Sequence, residues 1–93
     1  MNRLAQLALA DQIAQAEQAV LRLLGGIETG VATGRTAEAY KSAIGRHGRA
    51  ILDAGGRDAL AAVTDRISDV PGREADRKAL LAKLWADLER APE

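Results

Sequence analysis

Apolar residues recur every three or four positions along almost the whole chain, and this spacing is the strongest constraint on the fold. In the amino-terminal third, the apolar positions are Leu9, Ile13, Ala16, Val20, Leu23 and Ile27. A helix turns once every 3.6 residues, so these positions share one face. A second face carries the polar positions Asp11, Gln15, Gln18 and Arg22. The pattern predicts an amphipathic helix over 3–24 and an all-α protein.

Glycine pairs and one Pro-Gly step divide the remaining chain. Gly25-Gly26, Gly55-Gly56 and Pro71-Gly72 each predict the end of a helix, because glycine accepts left-handed backbone and the residue before proline leaves helical geometry. We therefore expect a small bundle of about four helices, at approximately 3–24, 36–54, 57–70 and 73–90. Ninety-three residues rarely hold two domains, so 1–93 is expected to form a single helical domain.

Residues 25–35 form a Gly-rich connector with four glycines. Its β-branched residues alternate with other types and argue against a helix. Two structures fit the connector: a short hairpin that turns at Gly30, or a loop.

Gly45 and Gly48 lie inside the predicted second helix. Each costs about 1 kcal/mol there relative to alanine. We therefore expect either another backbone packed closely against the helix, or a bend or break near residue 45.

Composition argues against several classes of function. Thirteen basic residues balance thirteen acidic ones, which disfavours an acidic DNA mimic, a polybasic membrane tether and a histone-like coat. The absence of cysteine excludes disulfides and zinc-thiolate sites. His47 is the only histidine and lacks the partners of a metal site or a catalytic triad, so we interpret it as a helix-packing residue. The sequence predicts no cofactor and no enzymatic activity.

The amino terminus has a weak resemblance to a targeting signal. Arg3 precedes the apolar run 4–10, but Gln6 interrupts that run and the helical pattern continues beyond it. No segment approaches the roughly 20 apolar residues of a membrane span. We expect a cytoplasmic protein that does not contact a membrane.

The first helix carries more apolar surface than one partner helix can cover. Its additional apolar positions are Leu4, Leu7, Leu21 and Leu24. Alanine supplies 20 of the apolar residues in the chain, so the core is expected to be thin. Self-association would compensate for a thin core, and these four leucines are the predicted partner-binding residues.

The segment 35–57 is the basic part of the chain, with five basic and two acidic residues. Arg46 and Arg49 lie one helical turn apart on its polar side and are further predicted partner-binding residues. Three interpretations remain open: a solvated face, contact with an acidic protein, or contact with nucleic acid. At the start of this helix, Arg35 and Thr36 form a possible anion-binding site, with Thr36 as the predicted N-cap.

These features together predict a non-enzymatic protein–protein interaction module, such as an adaptor, an assembly factor or a small inhibitor. The expected partner is a second copy in a homodimer or another protein. The alternative is a nucleic-acid-binding accessory protein that uses 35–57.

Overall fold

The fold was analysed in a computed structural model, which describes residues 3–88. Helix α1 spans Arg3–Glu28, α2 spans Gly34–Ser68 and α3 spans Glu74–Leu84; a 3-10 turn follows at Ala86–Leu88. No strand occurs within residues 3–88, so the predicted all-α class is confirmed. The predicted count of four helices is wrong, because three α-helices are present in this part of the chain.

The predicted boundary between 36–54 and 57–70 is a kink inside α2. Gly56 has φ 77° and ψ −171°, a conformation that glycine adopts without a steric penalty. The helix resumes directly after this residue and ends at Ser68 instead of residue 70. Gly56 alone therefore has non-helical backbone, and the two helical segments on either side of it join across a kink at the predicted boundary.

The predicted helix end at residue 24 is also wrong, because α1 continues through Gly25-Gly26 to Glu28. A β-carbon on Gly26 would lie 2.7 Å from Cε2 of Tyr40, so this glycine makes room for the tyrosine ring. The helix ends where Gly30 adopts φ 79°. The connector, predicted at 25–35, comprises only residues 29–33, which form a turn. The alternative of a hairpin is not observed there.

The remaining helix boundaries shift by smaller amounts. The N-cap of α2 is Thr33, with extended backbone, and not Thr36. The helix predicted at 73–90 begins at Glu74 and gives way to the 3-10 turn after Leu84. Residues 89–90 of that prediction lie outside the described residues.

The core lies where the three helices meet. Its buried residues are Ala16, Val20, Leu24, Ile44, Ile51, Leu60, Val63, Ile67, Leu81 and Trp85. The indole Nε1 of Trp85 donates a hydrogen bond to the carbonyl oxygen of Ile44 at 2.9 Å. Its ring covers Gly48, so the neighbour at this interior glycine is a side chain and not the backbone that was expected. Gly45, in contrast, has no atom within 4 Å of the position a β-carbon would take.

Candidate partner-binding surface

The face of α1 opposite the core is solvent-exposed along its length. Buried Ala16, Val20 and Leu24 mark the core side of this helix. Eight residues, spaced alternately by four and three positions, lie on the opposite side because a helix advances about 100° per residue. We call them the outer stripe: Leu4, Ala8, Asp11, Gln15, Gln18, Arg22, Gly25 and Thr29. All are exposed except Gly25, which is half-buried.

The four predicted partner-binding leucines divide into two groups. Leu4 is 78% exposed and Leu7, beside the outer stripe, is 59% exposed. Leu21 is partly buried against the core, and Leu24 is completely buried. Leu24 therefore belongs to the core of the chain and does not lie on the surface that a partner could contact. The two amino-terminal leucines remain available to a partner.

A further exposed apolar residue lies at the other end of the same helix. Val31 is 79% exposed and belongs to the turn that follows α1. Apolar side chains thus lie at the start of the outer stripe and in the turn that follows it, and polar side chains occupy the middle of the stripe.

The two charges of the outer stripe do not meet within the chain. Asp11 accepts a hydrogen bond from the Gln15 amide at 2.8 Å through Oδ2. Arg22 makes no ion pair with any residue between 3 and 88. The two charged residues are eleven positions apart, which corresponds to roughly 16 Å along the helix axis.

A shallow groove of about 650 Å³ runs between α1 and α2 beside the outer stripe. Small and polar side chains line it, including Ala16, Ala19, Arg22 and Ala50. His47 is half-buried in this groove, in keeping with the predicted helix-packing role.

Ion pairs between helices hold α1 in place. Arg77 is buried and donates to both carboxylate oxygens of Glu28 at 2.8 Å and to the Ile67 carbonyl at 2.8 Å. Arg73 lies 3.2 Å from the same carboxylate. The hydrogen bonds from Arg77 lower the pKa of Glu28, although burial opposes the shift, and the same bonds raise the pKa of Arg77.

A second pair joins α1 to the carboxyl-terminal part of α2. Arg66 donates to Glu17 through Nη2 at 2.7 Å and through Nε at 3.1 Å, and these bonds raise the pKa of Arg66. Neither pair is predicted from the sequence. Each joins residues 49 positions apart, and Glu28 lay in the segment assigned to the connector.

The basic segment forms a separate surface on α2. Arg46 and Arg49 are both exposed, but Arg49 lies 3.2 Å from Asp53. Lys41 is likewise 3.3 Å from Glu38. Acidic neighbours on the same helix therefore offset part of its positive charge, and the structure does not bring this surface together with the leucines of α1.

The possible anion-binding residues lie in the first turn of α2 and are exposed. The backbone N–H of Thr36 already donates to the carbonyl oxygen of Thr33 at 3.0 Å. Thr36 is thus inside the helix, and Arg35 is the only charged side chain in its first turn.

Neither metal chemistry nor known relatives identify the function. Within residues 3–88, no three histidine, aspartate or glutamate side chains are grouped closely enough to hold a metal ion. No helix in this range is long and apolar enough to cross a membrane. In comparisons with protein-family models, curated proteins and solved structures, no match to this chain was found. Its function has to be inferred from its own surface.

Proposed function

We propose that the chain is a non-enzymatic protein–protein interaction module whose docking surface is the outer face of α1. The observation that carries this proposal is the exposure of Leu4 and Leu7, 78% and 59%, on a helix whose opposite face already packs in a core. A single exposed leucine is ordinary, but two leucines one turn apart form a small apolar patch with Ala8. Complete burial of each leucine by a partner would contribute about 1.5–3 kcal/mol.

The ion pairs between helices support the same function. Glu17 and Glu28 anchor the middle and the carboxyl-terminal end of α1 to Arg66 and Arg77. A partner would therefore meet a preformed helix and would not have to order it. Such preorganisation lowers the entropic cost of association.

The alternative, nucleic-acid binding through 35–57, has less support because Glu38 and Asp53 pair with two of the cations in that segment. Phosphate contact predicts affinity that falls steeply with added salt. It also predicts a loss of binding in the double variant Arg46→Glu/Arg49→Glu. A titration of the wild type and this variant with duplex and single-stranded oligonucleotides at two salt concentrations separates the alternatives.

The proposed function is tested by site-specific photocrosslinking in cells that express the chain. A benzophenone amino acid replaces Leu7 in one version and Ala79, an exposed alanine on α3, in the matched control. We expect a defined crosslinked species from position 7 that disappears when Leu4→Asp is added, and none from position 79. Equal crosslinking at both positions, or none at position 7, would contradict the proposal.

A further inference from the structure

We propose that the partner of this surface is a second copy of the chain, bound through an antiparallel contact between the two α1 helices about a two-fold axis. This inference rests on the proposed function, because it uses the same outer face. It goes further by fixing the partner, the orientation and the register.

The outer stripe is complementary to itself when its direction is reversed. If the two-fold axis passes between residues 16 and 17, each residue of the stripe faces another member of the stripe. The facing pairs are Leu4 with Thr29, Ala8 with Gly25, Asp11 with Arg22, and Gln15 with Gln18. A two-fold contact forms each pair twice and closes the assembly as a dimer.

The chemistry of these pairs is favourable. Arg22, which has no ion-pair partner within residues 3–88, would meet Asp11 of the other copy. Oδ1 of Asp11 can accept that contact while Oδ2 keeps its bond from Gln15. Glutamine amides can both donate and accept, so the central pair can hydrogen-bond to each other.

The ends of the interface carry small residues that can approach closely, beside the exposed leucines. A β-carbon on Gly25 would have no atom within 4 Å, so there is open space beside this half-buried glycine in the single chain. Ala8 opposite Gly25 allows the two helix backbones to come near each other. The exposed leucines at the start of one α1 would then lie over the end of the other, near exposed Val31.

Other arrangements of the same two helices lose the charge match. A parallel pair places Asp11 against Asp11 and Arg22 against Arg22. An antiparallel shift of seven residues in one direction places Leu4 opposite Arg22, and a shift in the other direction places Gln18 opposite Arg22. Both shifts leave Asp11 without an opposite charge, so the register centred between residues 16 and 17 is favoured.

Charge reversal tests the register in the full chain by sedimentation equilibrium. Asp11→Arg and Arg22→Asp each turn two attractive contacts per dimer into two repulsive ones, and we expect the dimer Kd to rise about tenfold or more. An equimolar mixture of the two variants, in which both contacts are attractive again, should return to within a few-fold of the wild-type Kd. The two positions are too far apart to meet within one chain, so only contact between chains can produce this rescue.

Two controls separate the effect of the Asp11–Arg22 contact on the dimer Kd from the effect of a change in net charge. Lys83→Glu changes the charge as much as Arg22→Asp but lies on α3, so its dimer Kd should match that of the wild type. A mixture of Asp11→Arg with Lys83→Glu also combines opposite charge changes. The Lys83→Glu chains should pair with each other at the wild-type Kd, whereas the mixed dimer keeps one repulsive contact and should be weaker than the wild-type dimer. Circular dichroism of each variant checks that the helices are retained.

The inference is overturned if the wild type stays monomeric at every concentration, or if the charge-reversed variants associate as the wild type does. It is also overturned if the mixture of Asp11→Arg with Arg22→Asp fails to rescue. A monomeric chain that still crosslinks to another protein through position 7 would refute self-pairing and leave the proposed function standing. Absence of both self-association and crosslinking would refute the two proposals together.

Discussion

Replacing Gly48 with alanine is expected to destabilise the fold, whereas replacing Gly45 in the same helix is expected to stabilise it. Gly48 is buried beneath Trp85, and a β-carbon built on it would lie 2.5 Å from Cε2 and 2.6 Å from Cδ1 of the indole. Carbon atoms do not approach so closely, so the indole must move. Its 2.9 Å hydrogen bond to the Ile44 carbonyl would then weaken or break.

The size of each change in the free energy of unfolding follows from one stabilising effect and two destabilising effects. Alanine is favoured over glycine by about 1 kcal/mol inside a helix at either position. At Gly45 nothing lies within 4 Å of the new methyl group, so a gain of about 0.5–1 kcal/mol in the free energy of unfolding is expected. At Gly48 overpacking costs about 1–3 kcal/mol, and the weakened hydrogen bond costs about 1 kcal/mol more. The net effect at Gly48 is a loss of about 1–3 kcal/mol.

Urea unfolding followed by far-ultraviolet circular dichroism measures both free energies. Fluorescence of Trp85, the only tryptophan, gives a second probe of the same site. The expected difference between the two variants is roughly 1.5–4 kcal/mol, which combines the gain at one glycine and the loss at the other. If the Gly48 variant were as stable as the Gly45 variant, the indole of Trp85 would not pack against Gly48 as described.

The remaining predictions concern the interior and the buried ion pair. Leu24→Ala should lower the free energy of unfolding by about 2–5 kcal/mol, whereas Leu4→Ala should change it by less than about 0.5 kcal/mol, as measured by urea unfolding at low protein concentration. Arg77→Met should cost about 2–4 kcal/mol by the same measurement because it removes most of the partners of Glu28. Arg66→Met should cost less than about 1 kcal/mol because the Arg66 side chain is more than half exposed. Because the pKa of Glu28 is lower in the folded chain, its contribution to stability is present above about pH 4.5 and is lost as the pH falls through the folded pKa. Urea midpoints measured on both sides of this range should fall less steeply with acid in Glu28→Gln than in the wild type.

Different results would contradict each of these predictions. If Leu24→Ala and Leu4→Ala lowered the free energy of unfolding equally, Leu24 would not be an interior residue and Leu4 a surface residue of α1. If Arg77→Met and Arg66→Met lowered the free energy of unfolding equally, the burial of Arg77 would add nothing to the strength of its ion pair. An unchanged acid dependence in Glu28→Gln would mean that this carboxylate is not the group whose pKa is shifted.

The three- and four-residue spacing predicts the helices and most of the buried positions, because a helix can bury only one side against its neighbours. The spacing does not predict where the helices end. Glycine's local preference favours a stop at Gly25-Gly26, but the Tyr40 ring packs on Gly26 and the helix continues. At Gly56 one residue with positive φ bends α2 while leaving it one element.

The candidate surface could be predicted in part from the sequence. On a helical wheel Leu24 lies near Val20 on the core side, whereas Leu4 lies on the opposite side, so the interior position could have been separated from the surface one. The spacing alone does not show how far α2 and α3 cover α1. The Glu28–Arg77 pair left no sequence signal, because it depends on how helices distant in the chain pack together.

The most direct test of self-association through α1 is the molar mass in solution across a concentration series. For the wild type, the account predicts a mass that rises from 9.8 kDa toward twice that value, and for Leu4→Asp/Leu7→Asp a mass that stays at 9.8 kDa. A wild-type mass of 9.8 kDa at every concentration, or a dimer that the double variant leaves intact, would contradict it.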